Sequence, residues 1–158
     1  MSFMIGVLFI IFADQVSKIW IASHMELGES IPVINKIFHI TYIQNPSSAF
    51  GLLPFSNRTF IIMNITIILL GVIFWLKKAR QNRSLFFPSI LILGGALGNL
   101  IDRIRVGSVI DFLDLRVWPI FNIADSAMNI GIFILIIHCL FQQEGKKEDK
   151  NLEEDNNL

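Results

Sequence analysis

The sequence predicts an all-α integral membrane protein with four transmembrane helices and a small extracytoplasmic β-structured lip between spans one and two. Three observations carry that prediction. The composition is 53% hydrophobic and only 16% charged, with a mean hydropathy of +0.60, far above a soluble domain. Four apolar stretches, residues 3–21, 59–76, 85–101 and 120–141, are each long enough at ~1.5 Å per residue to cross most or all of a ~30 Å hydrocarbon core. A basic cluster, Lys77, Lys78, Arg80 and Arg83, closes the second stretch, and positive residues in short loops stay cytoplasmic. That cluster places both termini inside and the lip outside.

With 158 residues there is room for one domain, residues 1–141, followed by a tail, residues 142–158, that is rich in Lys, Glu, Asp and Asn and is expected to be disordered and cytoplasmic. A formal net charge of zero gives no reason to invoke nucleic acid. The single cysteine, Cys139, rules out an internal disulfide or a cysteine-built metal site and reads as a small apolar residue.

The first span carries Asp14, Gln15 and Lys18. An Asp in mid-segment and the absence of a basic start argue against a cleaved signal peptide, so the segment is taken as a retained span. Asp14 and Lys18 are four apart and can pair on one helical face, which relieves a cost of roughly 2.5–3.5 kcal/mol for each charge in mid-membrane. Residues 22–58 form the lip. Gly28, Glu29, Pro32 and Asn35 punctuate turns, residues 37–43 are β-branched and aromatic and read as a strand, and Asn45-Pro46-Ser47-Ser48 supplies turn chemistry before Ala49-Phe50-Gly51. The third span tolerates Pro88 near its beginning and ends in Arg103 and Arg105, on the outer side against the positive-inside rule, which suggests a local role. Residues 106–119 alternate in polarity around Asp111 and Asp114 and read as extended.

Two polar stripes stand out against this background. Gly95, Asn99 and Arg103 fall on one face of span three, and Asn122, Asp125, Ser126 and Asn129 on one face of span four. The topology brings Asp14 and Lys18, Asn45, Asn99 and Arg103, Asp111, and Asn122 and Asp125 to the same extracytoplasmic surface. Two acidic residues from different segments, Asp111 and Asp125, at a low-dielectric boundary cannot both ionise easily, so one keeps a proton, as in an aspartyl dyad. The ionised member can activate water while the protonated one polarises a carbonyl, with Asn99, Arg103 and Asn122 orienting acids and substrate. Asp114 and Asn129, taken singly, read as capping or packing groups, and Asp102 as a partner of Arg103 or Arg105. No H-E-x-x-H or G-x-S-x-G occurs, and His24, His39 and His138 are scattered, so neither a metal nor any other cofactor is expected. Gly94, Gly95 and Gly98 are better explained by close helix packing than by a phosphate loop.

Asp14-Gln15-Val16-Ser17-Lys18, residues 45–51, residues 94–103, Val109-Ile110-Asp111-Phe112 and residues 121–126 resemble, in order, the signature blocks of lipoprotein signal peptidase, the bacterial signal peptidase II. The resemblance implies an aspartic endopeptidase of the bacterial cytoplasmic membrane that removes the signal peptide of a prolipoprotein just before a diacylglyceryl-modified cysteine. It implies Asp111 and Asp125 as the catalytic pair, Asn45, Gly95, Asn99, Arg103 and Asn122 as substrate-binding or supporting residues, Asp14 and Lys18 as structural ones, and no metal. A monomer in the bilayer is the expectation. One block departs: Ser47-Ser48 stands where the family usually has a Gly-Ala pair. The rival classes are a four-span proton-coupled transporter and a non-catalytic assembly subunit. A transporter needs polar residues through both leaflets, whereas residues 85–93 and 130–140 are almost wholly apolar.

Overall fold

Small residues along one helix decide which helix lies at the centre. The computed structural model describes residues 2–46 and 56–155, with side chains up to Gln142. Among the described residues four helices are long and apolar enough to cross a membrane: α1 (Phe3–His24), α2 (Asn57–Phe74, extended by a π-helical turn Trp75–Ala79), α3 (Arg83–Arg105) and α4 (Ile123–Asp155). In α3, a Cβ added at Gly94 would lie 2.7 Å from Cβ of Ile10 on α1, and one at Gly95 would collide with the Ala124 carbonyl oxygen on α4. Backbones can approach this closely only without side chains between them. As a result 61% of the apolar stretch of α3 is buried, against 22% for α1, 17% for α4 and 6% for α2. The other three helices turn large apolar side chains outward, such as Phe9 and Phe12, Leu69 and Leu70, and Phe133 and Ile136. This is the pattern for a bundle whose solvent is hydrocarbon.

Helix α2 runs back along α3. At one end Asn57 bonds to the Arg103 backbone, and at the other the Phe3 ring stacks on Trp75 at 4.2 Å and meets Phe86 edge-on. Between these ends Leu93 fills the space over Gly71. Ser56 caps α2 and Asn82 caps α3, each accepting a backbone N–H of the first turn.

The label "all-α" is corrected by a three-stranded antiparallel sheet, in the order β1 (Ser30–Ile34), β2 (Phe38–Asn45) and β3 (Val109–Asp114). The strand expected at residues 37–43 is β2. The residues read as extended between α3 and α4 include β3, so the two inter-helical connections at this end of the bundle zip together. β1 was not expected, because Pro32 removes a ladder donor; it is admitted here on the exposed edge of the sheet. Gly107, with φ +80°, turns the chain from the end of α3 into β3. Ile110, Phe112 and Tyr42 pack on Ile21 and Met25, fastening the sheet to the last turn of α1.

The helix bounds differ from those expected by a few residues, within the usual fraying. One difference is larger. The backbone of α4 continues as helix to Asp155, through much of the tail expected to be disordered. Glu and Lys are strong helix formers and no proline interrupts them. Ser47, Ser48 and Phe50 of the lip lie outside the described residues.

Candidate active site

Lys18 is the hub of the polar end of the bundle. Its Nζ lies 2.9 Å from Asp14 Oδ2 and 2.8 Å from Asp102 Oδ2, with all three side chains 3% exposed or less. The pairing of Asp14 with Lys18 expected from their spacing is therefore present. Asp102, read from sequence as a partner of Arg103 or Arg105, instead faces Lys18 and accepts the backbone N–H of Ile110 at 3.1 Å. It ties β3 to the ion cluster. Gln15 donates to both carboxylates and to the Gly98 carbonyl. Asp14 in turn accepts the N–H of Ala124 at 2.9 Å, so a carboxylate on α1 satisfies a free donor in the first turn of α4.

From this cluster the third donor of Lys18 reaches Asn99 Oδ1 at 3.0 Å. With its oxygen engaged there, the Asn99 amide must point its NH2 the other way, and it donates to Asp125 Oδ1 at 2.7 Å. Asn122 does the same for the second acid. Its oxygen caps α4 by accepting the Asp125 N–H at 2.8 Å, while its NH2 donates to Asp111 Oδ1 at 2.7 Å and to Asn99 Oδ1 at 3.1 Å. Asp111 Oδ2 receives Asn45 Nδ2 at 3.0 Å. The sheet register explains that bond: Asn45 pairs with Val109, and a diagonal neighbour two residues on shares its face. One Asn thus holds both acids, touching the side chain of Asp111 and the backbone of Asp125.

Burial pushes the Asp111 carboxyl up to about 7, and the neighbouring Asp125 charge adds to the rise, against the hydrogen bonds from Asn45 and Asn122. Asp114 behaves differently. Burial opposes its ionisation, but the Arg116 backbone N–H, the Thr41 hydroxyl and the Arg116 guanidinium together hold it below the usual carboxylate range. Asp114 is a cap within the sheet and its loop.

Both acids open on a cavity of about 390 Å³, whose lining includes Asn45, Asn99, Arg103, Asp111 and Asp125 together with Phe60, Met63 and Ile67 of α2 and Met128 of α4. The Arg103 guanidinium lies 4.3 Å over the Phe60 ring, and Asn57 reaches the Arg103 backbone at 3.1 Å. Two carboxyls, one with its pKa raised to about 7, around a largely apolar cleft can perform acid–base hydrolysis. Deeper in the bundle the α3–α4 seam is closed: a Cβ on Gly131 would lie 2.9 Å from the Pro88 carbonyl and 2.8 Å from Ile92. Among the described residues the seam leaves no space for a polar route at this level.

The sequence of the chain matches the family model described as "Signal peptidase (SPase) II" over residues 6–141. The chain belongs to the signal peptidase II family. It is 46% identical over 140 residues to the lipoprotein signal peptidase of Halothermothrix orenii, covering 89% of this chain and 95% of that one. To the lipoprotein signal peptidase of Bacillus velezensis it is 42% identical over 146 residues, with 89% and 95% covered. Among solved structures it is similar to a bacterial membrane enzyme determined by the in meso method, with a TM-score of 0.86, 38% identity and 92% of each chain covered.

In this signal peptidase II the structure brings together Asn45, Asn99, Arg103, Asp111, Asn122 and Asp125, with Asp14 and Lys18 behind Asn99. Gly95 stands apart. It is a contact between α3 and α4 rather than part of the cavity lining. Residues that the sequence reading did not assign to the site are Gln15, Asn57, Phe60 and Asn64. Asn64 left a signal, an amide inside an otherwise apolar span, whereas Asn57 was hidden in what read as the end of a loop. Asn129, read singly as a packing group, lines the cavity.

Proposed function

We propose that this signal peptidase II is an aspartic endopeptidase of a bacterial cytoplasmic membrane. It removes the signal peptide of prolipoproteins on the amino side of a diacylglyceryl-modified cysteine, with Asp111 and Asp125 as the catalytic pair. The observation that carries the reading is the double grip of Asn122 on Asp111 and Asp125 at the mouth of one cavity. Asp111, whose pKa is raised to about 7, holds the proton and donates to the scissile carbonyl oxygen. The Asp125 carboxylate removes a proton from water, whose oxygen bonds to the carbonyl carbon. In the tetrahedral diol that results, Asp125 passes its proton to the amide nitrogen. The C–N bond breaks, a diol hydroxyl returns a proton to Asp111, and the products are a free carboxyl and the amine of the lipidated cysteine. Asn99, Asn122 and Asn45 hold the acids in place, and Arg103 and Phe60 wall the cleft.

The basic cluster Lys77, Lys78, Arg80 and Arg83 lies at the end of the bundle opposite the acids. The positive-inside rule then puts the acids and the sheet at the extracytoplasmic face and both termini in the cytoplasm.

This assignment predicts the sign of the pH dependence. Raising pH through about 7 ionises Asp111 and leaves two charged carboxyls with no proton for the carbonyl, so kcat/KM for a lipidated precursor falls on the alkaline side of that value. A pH–rate profile from 5 to 9 checks it (roughly the span set by the general-base pKa range). A rate that climbs steadily through this range would overturn the role given to Asp111.

The lipid is expected to position the bond. A diacylglyceryl group partitions with roughly 0.8 kcal/mol per buried methylene, so it fixes the cysteine near the headgroups more firmly than peptide contacts do. A precursor lacking the lipid is cut poorly. Matched precursors with and without the diacylglyceryl group, incubated with purified protein and followed by gel shift, test this, and equal rates would indicate a general intramembrane peptidase.

A further inference from the structure

Two side-chain amides in the cavity wall have no task in the site as described so far. Asn64 on α2 and Asn129 on α4 both line the cavity. Each lies within a span of high hydropathy, 2.4 for α2 and 1.9 for α4. The same α2 also holds Thr66, whose hydroxyl is satisfied by the Ile62 carbonyl of its own helix. Among the described residues neither Asn64 nor Asn129 has such an internal bond, and an unpaired amide at membrane depth is costly. Helices α2 and α4 both contribute to the cavity wall, and each packs far more on α3 than on the other.

Depth assigns the amides a partner. Asn129 is one helical turn below Asp125, about 6 Å at ~1.5 Å per residue. Asn64 is likewise one turn below Phe60, the residue that stacks on Arg103. An extended peptide rises ~3.3 Å per residue, so ~6 Å is about two residues. A bond hydrolysed at the acids must lie in extended chain, and such chain at this depth exposes backbone N–H and C=O groups with no water to meet them. We propose that Asn64 and Asn129 form a backbone clamp, hydrogen-bonding the main chain of the signal peptide about two to three residues on the amino side of the scissile bond. This rests on the peptidase reading above. A carboxamide supplies both a donor and an acceptor and can serve a peptide unit whatever its side chain. The clamp therefore selects extended backbone, while the apolar walls, Met63, Ile67 and Met128, receive the side chains.

The test uses Asn64→Leu and Asn129→Leu in the full chain, with kinetics on a lipidated precursor. It also uses the same precursor carrying single backbone ester substitutions that delete one N–H at each of the four positions before the cleavage site. The expected result is a fall in kcat/KM of about 5–100-fold for each variant, corresponding to a lost buried hydrogen bond, with melting temperature in detergent unchanged or raised. An ester two or three residues before the bond should slow the wild-type protein and should slow a Leu variant less. Esters closer to the bond should not show that relief. Ester effects that are equal in wild type and variants, or Leu variants with unaltered kinetics, would overturn the clamp while leaving the peptidase standing. Should a variant fail to fold, the ester series on the wild-type protein decides alone: indifference at all four positions overturns the clamp. Failure of the wild-type protein to cut the parent precursor at all would overturn both readings.

Discussion

Asp111→Asn and Asp125→Asn are each expected to lower precursor cleavage by about 10²–10⁴-fold without disturbing insertion or folding. Each substitution removes one acid–base partner but keeps the shape of the side chain and an oxygen for the amide that holds it, Asn122 for Asp111 and Asn99 for Asp125. Asp125→Asn exchanges a buried charge for a neutral group, and Asp111→Asn exchanges an acid that already holds its proton for an amide of the same shape, so melting temperature in detergent should hold or rise. Asp114→Asn serves as the comparison. Its carboxylate is bound to Thr41 and Arg116 and does not line the cavity, so its loss should loosen the sheet and lower activity only mildly. Gel-shift turnover of a lipidated precursor by the three inserted variants is the measurement. Near wild-type cleavage by either dyad variant, or an essential Asp114, would sink the assignment.

What the sequence disclosed and what it hid separate along physical lines. Helical spacing places Asn99 and Arg103 on one face and Asn122 and Asp125 on another, and two polar stripes in an apolar chain have few stable arrangements except facing each other. The bonds from Asn99 to Asp125 and from Asn122 to Asn99 are that arrangement. Partner choice was less legible. Asp102 is adjacent in sequence to Arg103, but neighbours on a helix point about 100° apart, so Asp102 meets Lys18 on α1 while Arg103 meets Phe60 on α2. The sheet was legible only in part for a similar reason. β2 has the composition of a strand, whereas β1 contains Pro32, and the pairing of Asn45 with Val109 joins segments far apart in the chain. No local pattern encodes that register, yet it is the register that brings Asn45 to Asp111. Asn64 was visible as a lone amide, but its place in the cavity wall was not.

Lys18→Met is expected to cost about 3–5 kcal/mol of stability, the usual penalty for removing one member of a buried ion cluster. Lys18 sits between Asp14 and Asp102, all of them buried, and its removal leaves two carboxylates facing each other with Gln15 as a neutral donor. Those two carboxylates are also fastenings, Asp14 to the first turn of α4 and Asp102 to the start of β3, so the elements that carry Asp125 and Asp111 loosen together. Activity should fall further than stability alone accounts for. Asn99 loses one of the two donors that fix its oxygen, keeping only Asn122, and its NH2 is held less firmly toward Asp125. The double variant Lys18→Met with Asp102→Asn separates the two effects, because it removes an uncompensated charge and keeps an oxygen for the Ile110 N–H. Thermal unfolding in detergent should show the double variant recovering much of the stability lost by the single one, while its cleavage rate stays low for want of the Lys18 donor. If Lys18→Met melts like the wild type, the ion cluster is not what holds this end of the bundle. If the double variant regains full activity, Lys18 has no part in orienting Asn99.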